Sequence, residues 1–222
     1  MKNQKIRRLR WALAKGIDFL FPRRRSAEKI ENLTVEFLTQ KIWLKEGAGG
    51  VTSLLEYRDP TIQNLIWELK YQGSKKAAAL CGELLLNEIM VDISEIQAFS
   101  DLGLPLLVPI PLSAKRRKER GFNQSELLCE VICEKAGTET FEYRSGLLSK
   151  IRDSASQTSL KSRSERLKNL QGCFGVKNPE KVKGRVVIVI DDITTTGATF
   201  AEAREVLETA GAKEIICYSV AH

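Results

Sequence analysis

The feature that most constrains the fold is an uninterrupted β-branched run at residues 186–190, which read Val-Val-Ile-Val-Ile. Because apolar and polar residues do not alternate in this run, it predicts a strand that is buried on both faces. Strands of that kind lie in the middle of parallel sheets, where crossover helices cover both faces. Residues 198–210 place their apolar side chains at helical spacing and predict the helix that follows the strand. The sequence therefore predicts an α/β fold with a mainly parallel central sheet flanked by helices.

Acidic and hydroxyl side chains follow the predicted strand: Asp191 and Asp192 come first, and a turn rich in threonine then leads into the helix. Ligands of open α/β sheets bind at the carboxyl ends of strands, and a helix N-terminus attracts phosphate. Ionised carboxylates accept hydrogen bonds from sugar hydroxyls and also bind hydrated divalent cations. Together these patterns predict a site for a sugar phosphate. The residues predicted to hold the phosphate are Thr194, Thr195, Thr196, Gly197, Ala198 and Thr199.

The stretch from the strand to the helix resembles the phosphoribosyl diphosphate (PRPP) signature of the type I phosphoribosyltransferases. In that signature a hydrophobic strand precedes paired acids and a Thr/Gly turn. The resemblance implies that Asp191 and Asp192 hold the ribose 2′ and 3′ hydroxyls, with Mg²⁺ as the cofactor, and that the threonine turn holds the 5′-phosphate. The catalytic residue is left open, because Thr195 stands where purine-salvage relatives often carry an acid. Asp191 and Asp192 are the best candidates for proton transfer, and the alternatives are another Glu or no such residue.

Further motifs narrow the resemblance. Residues 106–111 read Leu-Leu-Val-Pro-Ile-Pro and predict a second buried strand, and the cationic turn at residues 115–124 ends in Arg-Gly-Phe-Asn-Gln. With residues 62–73 upstream and the acidic motif downstream, they closely resemble the ComF family of competence proteins over residues 50–222. Members are similar to the phosphoribosyltransferase domain of glutamine amidophosphoribosyltransferase and are implicated in handling transforming single-stranded DNA. The resemblance implies a PRPP-binding protein of DNA uptake. The alternative is an active phosphoribosyltransferase that transfers phosphoribosyl from PRPP to a base or amine.

A second set of predicted site residues is cationic, because the diphosphate of PRPP carries several negative charges that must be offset. The candidates for binding it are Arg116, Arg117 and Arg120, in the turn after the second strand. The polar stretch at residues 152–169 is predicted to be a mobile loop that closes over the site and excludes water. The predicted lid residues are Arg152, Gln157, Arg163 and Arg166. Mg²⁺ between the diphosphate and the ribose hydroxyls would neutralise the remaining charge.

The cysteines bear on metal binding and on location. ComF proteins usually begin with a four-cysteine zinc module, but the five cysteines here form no Cys-x-x-Cys pair and the only histidine is His222. They are Cys81, Cys129, Cys133, Cys173 and Cys217. No structural zinc is therefore expected. The odd number of unpaired cysteines indicates a reducing compartment. The sequence contains no run of about 18 apolar residues, so no membrane span is predicted. The expected location is the cytoplasm, with a peripheral position at the inner face of the membrane left open.

Positive charge is concentrated at the N-terminus. Residues 1–25 contain nine Lys or Arg and one Asp, so their net charge is +8. The whole chain has a net charge of +7, so the remaining residues together carry −1. We predict a basic helical N-terminal arm at residues 1–46, in place of the zinc module, and a phosphoribosyltransferase-like domain at residues 47–222, with a glycine-rich hinge at residues 47–50. The apolar face of the arm has three open interpretations. It packs on the α/β domain, binds single-stranded DNA, or contacts an anionic membrane surface or the DNA-uptake machinery there.

The remaining elements are predicted from periodicity, caps and turn residues. Asp59 caps a helix that ends before Gly73, since Pro60 suits its first turn and glycine suits the position after its last. The other predicted helices cover residues 26–45, 75–90 and 122–136. The other predicted strands cover residues 51–57 and 214–220, with one near Phe141, and residues 91–105 form a linker.

Overall fold

A computed structural model describes residues 30–47, 50–97, 103–137, 139–152 and 172–222, without the side chains of residues 95–97. Its strands are β1 (Lys45–Gly47), β2 (Val51–Leu55), β3 (Leu106–Pro109), β4 (Glu142–Tyr143), β5 (Leu148–Lys150), β6 (Phe174–Val176), β7 (Val186–Ile193) and β8 (Glu214–Ala221). Its α-helices are α1 (Val35–Thr39), α2 (Pro60–Trp67), α3 (Lys75–Gln97), α4 (Ala114–Arg120), α5 (Gln124–Ala136) and α6 (Ala198–Thr209). Within these residues, no helix combines the length and the apolar character needed to cross a bilayer.

Among the described residues, six strands form one sheet in the order β1-β2-β8-β7-β3-β4. All neighbouring pairs are parallel except β1 and β2, which are antiparallel. The separate pair β5 and β6 forms a small antiparallel ribbon. The predicted α/β fold with a mainly parallel sheet is therefore confirmed.

The central strand β7 is buried on both faces, as its β-branched run predicts. Ile188 and Ile190 pack into the core that α2, α3 and α5 form on one face of the sheet. Val187 and Val189 pack into the core that α6 and the β5–β6 ribbon form on the other face. Each face of β7 is thus covered by apolar side chains, and ligands of such sheets bind at the carboxyl ends of the strands.

Helix α2 begins after its predicted cap, and the helical turn that continues it ends at the predicted glycine. Asp59 caps α2, and its Oδ1 accepts a hydrogen bond of 2.7 Å from the N–H of Thr61. After α2 the chain continues into a π-helical turn at Glu68–Gln72, which the sequence did not predict. Gly73 ends this turn with a φ of 59°, a conformation that glycine adopts without strain.

The helix predicted at residues 26–45 is wrong in its described part. Thr34 interrupts it, because its extended backbone and its Oγ1 cap the five-residue helix α1. The chain then forms β1, in which Gly47 pairs with Val51 of β2. A domain boundary between residues 46 and 47 would thus fall inside the central sheet, and Leu38 of α1 is fully buried in the core. Residues 1–29, which hold most of the predicted arm, lie outside the described residues.

Several further boundaries differ from the prediction. Helix α3 continues to Gln97, so most of the predicted linker at 91–105 is helical where it is described. The reason is that Ile93, which is 2% exposed, lies one turn after Ile89 and extends the apolar face of the helix. The cationic turn is instead the short helix α4, capped by Ser113, and the next helix begins only at Gln124. The predicted strands at residues 51–57 and 106–111 end two residues early, at Leu55 and Pro109.

Candidate ligand site at the carboxyl edge of the sheet

A cavity of about 160 Å³ opens at the carboxyl ends of β3 and β7. Its polar wall residues are Lys70, Ser113, Arg116, Arg120, Gln124, Lys150, Asp191, Asp192 and Thr199. The cavity therefore brings together five of the residues that the sequence predicts for a phosphoribosyl site: both acids, two arginines and one threonine of the turn. The order of the strands explains this, because β3 and β7 are parallel neighbours and their connections leave the sheet at the same edge.

A larger groove, of about 550 Å³, lies between α6 and the β5–β6 ribbon. Its wall contains Glu202 and Glu205, and no Lys or Arg among the described residues. An anionic ligand finds no charge partner there, so the smaller cavity is the better candidate for a phosphate-bearing ligand.

Asp191 is fixed by two hydrogen bonds at the end of β7. Its Oδ1 accepts from the hydroxyl of Ser125 at 2.7 Å and from the N–H of Asp192 at 2.9 Å. Ser125 is buried in the first turn of α5, and Asn123 caps that helix while donating to the carbonyl of Ile110 at 3.0 Å. Burial, and then the negative charge of Asp192, raises the pKa of Asp191 to about 7. The sequence singled out neither Ser125 nor Asn123 as a support for the acid.

Asp192 is paired with a lysine that the sequence analysis missed. Its Oδ2 lies 3.1 Å from Nζ of Lys70, and the two side chains are 2% and 18% exposed. A signal was present, since Lys70 follows Ile66 by four residues and so falls on the apolar face of the predicted helix. A cation in that position needs a carboxylate partner. The sequence does not say which carboxylate supplies it.

The threonine turn leads directly into α6. Gly197 has a φ of 73° and precedes the first residue of the helix, while Oγ1 of Thr196 accepts from the N–H of Ala198 at 3.4 Å. Thr195 is exposed and Thr199 lies in the cavity wall. The N–H of Thr194 already donates to the carbonyl of Ala221 at 3.0 Å, so this group belongs to the sheet rather than to a ligand.

The predicted cationic residues separate into three groups. Arg116 and Arg120 lie in the cavity wall, and Nη1 of Arg120 donates to Oε1 of Gln124 at 2.9 Å. Arg117 is not brought to the cavity, because it forms a 2.6 Å ion pair with Glu126. Of the predicted lid, Arg152 is exposed and is not in the wall. The other lid residues, Gln157, Arg163 and Arg166, lie outside the described residues.

The acid pair is suited to Mg²⁺ that arrives with a ligand. Within the described ranges, no cluster of three or more His, Cys, Asp or Glu side chains can hold a metal ion. Mg²⁺ is commonly bound by one or two carboxylates, and substrate phosphates and water complete its coordination. Asp191 and Asp192 supply that number of carboxylates, so the donor set fits a metal shared with a polyphosphate.

A mainly parallel sheet with two acids and a threonine turn after its central strand defines a phosphoribosyltransferase-type domain. The family described as "Phosphoribosyl transferase domain" matches residues 130–222. The chain is 33% identical over 168 residues to the DNA utilization protein YhgH of Salmonella typhi, covering 74% of this chain and 68% of that protein. It is 34% identical over 185 residues to the competence protein ComFC of Streptococcus pneumoniae R6, covering 81% and 72% of the two chains. The chain belongs to the ComF family.

Among solved structures, the chain is similar to the allosteric regulatory enzyme of purine biosynthesis. The sequence identity is 19% and the TM-score is 0.42, over 69% of this chain and 30% of that one.

Proposed function

We propose that this ComF-family protein acts in DNA uptake and that its cavity binds PRPP together with Mg²⁺. One observation carries the proposal: Arg116 and Arg120 share a single cavity with Asp191, Asp192 and Thr199. PRPP requires this combination, because its diphosphate needs cations while its ribose hydroxyls need acceptors. The role in DNA uptake follows from relatives that are named for competence and for DNA utilization.

In this proposal each part of PRPP has its own partners. The ribose hydroxyls donate to Asp191 and Asp192 at the end of β7, and the 5′-phosphate binds at the turn that begins α6, where the helix dipole favours an anion. Arg116 and Arg120 of α4 would hold the diphosphate. When bound, Mg²⁺ offsets negative charge on the diphosphate.

The arginine assignment predicts a ligand-selective loss. Arg116→Ala and Arg120→Ala should each weaken PRPP binding by about tenfold or more, because each removes a hydrogen bond to a charged group. Binding of ribose 5-phosphate, which has no diphosphate, should remain unchanged. Calorimetry with both ligands in the presence of Mg²⁺ measures the difference. Lys118→Ala is the matched control, since Lys118 is an exposed cation of α4 outside the cavity wall. An equal loss for both ligands would contradict a diphosphate role.

Phosphoribosyl transfer to a base or amine is the second candidate function. The observation that favours it is the pKa of Asp191, which lies at about 7, near the pH at which a proton-transfer group is most effective. Release of diphosphate from PRPP, with and without bases, amines or ammonia, distinguishes transfer from binding alone.

Single-stranded DNA is the proposed macromolecular partner, because residues 1–25 hold the whole excess of positive charge. Each phosphate contacted should contribute about −0.7 to the slope of log affinity against log salt. Replacing Arg23, Arg24 and Arg25 by alanine should flatten that slope by about 2 and leave PRPP affinity in place. Fluorescence anisotropy at several salt concentrations gives the slope. The control removes the same charge at Lys75, Lys76 and Lys118, and an equal effect there would argue against the arm.

A further inference from the structure

Lys70 is a cation that the fold brings against a buried carboxylate. Its Nζ lies 3.1 Å from Oδ2 of Asp192, and its side chain is 18% exposed against 2% for the acid. Taking an ammonium group out of water is unfavourable unless a carboxylate offsets its charge. Lys70 also lies in the wall of the cavity that is proposed to bind a metal and a polyphosphate. The positive charge of Lys70 therefore acts on any ligand that enters this cavity.

The backbone that carries Lys70 departs from a regular helix. Helix α2 continues into the π-helical turn Glu68–Gln72, which ends at Gly73 in the left-handed region. π-helical turns are rare and are found frequently at functional sites. In this turn Leu69 is fully buried in the core while its neighbour Lys70 reaches the cavity. A specialised segment thus positions the lysine.

The charge of Lys70 changes what the acid pair can bind. Asp191 and Asp192 are consecutive residues of β7, and two adjacent carboxylates attract a divalent cation. A cation that binds Asp192, however, meets the ammonium group of Lys70 at short range, where repulsion between like charges is strong. A diphosphate removes this obstacle, because its negative charges attract the metal and the lysine alike.

We propose that Lys70 is the internal counter-ion of the acid pair and prevents a divalent metal from binding there unless a diphosphate-bearing ligand binds with it. The ligand in this statement rests on the proposed function, whereas the exclusion of the metal alone does not. Lys70 is then a positioning residue, which holds Asp192 in the free protein and makes metal binding depend on the ligand.

The test is a titration with Mn²⁺ alone, followed through the electron paramagnetic resonance signal of the free ion. Wild-type protein should bind Mn²⁺ weakly, and Lys70→Met should bind it at least about tenfold more tightly, because the opposing charge is gone. Lys70→Arg, which keeps the charge, should bind as weakly as the wild type. Lys76→Met is the matched control, since it removes one exposed cation outside the cavity wall.

A purely structural role for Lys70 predicts lower stability without a gain in Mn²⁺ affinity. Unchanged affinity in a folded Lys70→Met protein overturns the proposal, as does tight binding of Mn²⁺ alone by the wild type or an equal gain in Lys76→Met. If the methionine variant does not fold, Lys70→Gln keeps a polar donor beside Asp192 and should show the same gain. The double variant Lys70→Met/Asp192→Asn should lose the gain. A wild type that does not bind PRPP contradicts the proposed function only, because these Mn²⁺ measurements contain no PRPP.

Discussion

Replacing Asp191 and Asp192 together by asparagine is expected to weaken PRPP binding by at least about 100-fold, since hydrogen bonds to charged groups contribute roughly 1.5 to 3 kcal/mol each. Asparagine keeps the size of both side chains, so Oδ1 at position 191 can still accept from Ser125. Both negative charges, and with them the carboxylate ligands of Mg²⁺, are removed. Calorimetry with PRPP and Mg²⁺ measures the loss.

The control for this double variant removes two acids from α6, the helix that follows β7. Glu205 and Glu208 are exposed on α6 and do not line the cavity, so Glu205→Gln/Glu208→Gln should bind PRPP like the wild type. Because Glu205 lies in the wall of the larger groove, the control also tests that site. If PRPP affinity changes in the control and not in the aspartate variant, PRPP binds in the larger groove and the assignment of the site is wrong.

Asp191→Asn alone is expected to stabilise the protein above neutral pH. The pKa of Asp191 is about 7 in the folded protein and its ordinary value is 3.8, so the folded state holds a proton that the unfolded state has released. Stability therefore falls as pH rises from about 4 to about 7, and the cost is complete above pH 7. Each pKa unit corresponds to about 1.4 kcal/mol, and we expect a gain on the order of 2 kcal/mol at pH 8.

Thermal unfolding at several pH values checks this prediction. The melting temperature of Asp191→Asn should exceed that of the wild type by about 4 to 8 °C at pH 8, and by little at pH 4. Asp59→Asn is the control with the opposite sign, because the hydrogen bond from Lys41 lowers the pKa of Asp59. That variant should be less stable than the wild type at pH 8. If Asp191→Asn is less stable than the wild type at pH 8, the ionised Asp191 does not destabilise the folded protein and the prediction is wrong.

The part of the site that follows β7 could be predicted because its signals are local. A strand buried on both faces, two acids and a threonine turn are adjacent in the sequence, so the residues themselves indicate both the element and its ligand chemistry. The convergence of Arg116 and Arg120 on the same cavity also follows from local signals, since parallel strands expose their carboxyl ends at one edge.

The contacts that the sequence did not reveal are long-range ones. Lys70 and Asp192 are far apart in the chain, and a buried lysine indicates only that some carboxylate lies near it. The ion pair between Arg117 and Glu126 likewise depends on how α4 and α5 pack, so three neighbouring arginines looked equivalent in the sequence. The short strands β1, β5 and β6 were missed because three residues cannot show alternation.

The helix predicted over residues 26–45 shows how periodicity can mislead. Ile30, Leu33 and Leu38 are buried as that helix required. They reach the core from two short segments, because Thr34 caps a new helix instead of continuing the first. Apolar spacing therefore identified these three buried residues but not the backbone that carries them, and Phe37, which the same spacing predicts to face inward, is 41% exposed.

A crystal structure of the protein with PRPP and Mg²⁺ shows directly whether PRPP occupies the cavity at the carboxyl ends of β3 and β7. We expect ribose hydroxyls within hydrogen-bond distance of Asp191 or Asp192, the 5′-phosphate at the turn that begins α6, and the diphosphate beside Arg116 and Arg120. Ligand density in the larger groove between α6 and the β5–β6 ribbon, or an empty cavity at saturating PRPP, would contradict this expectation.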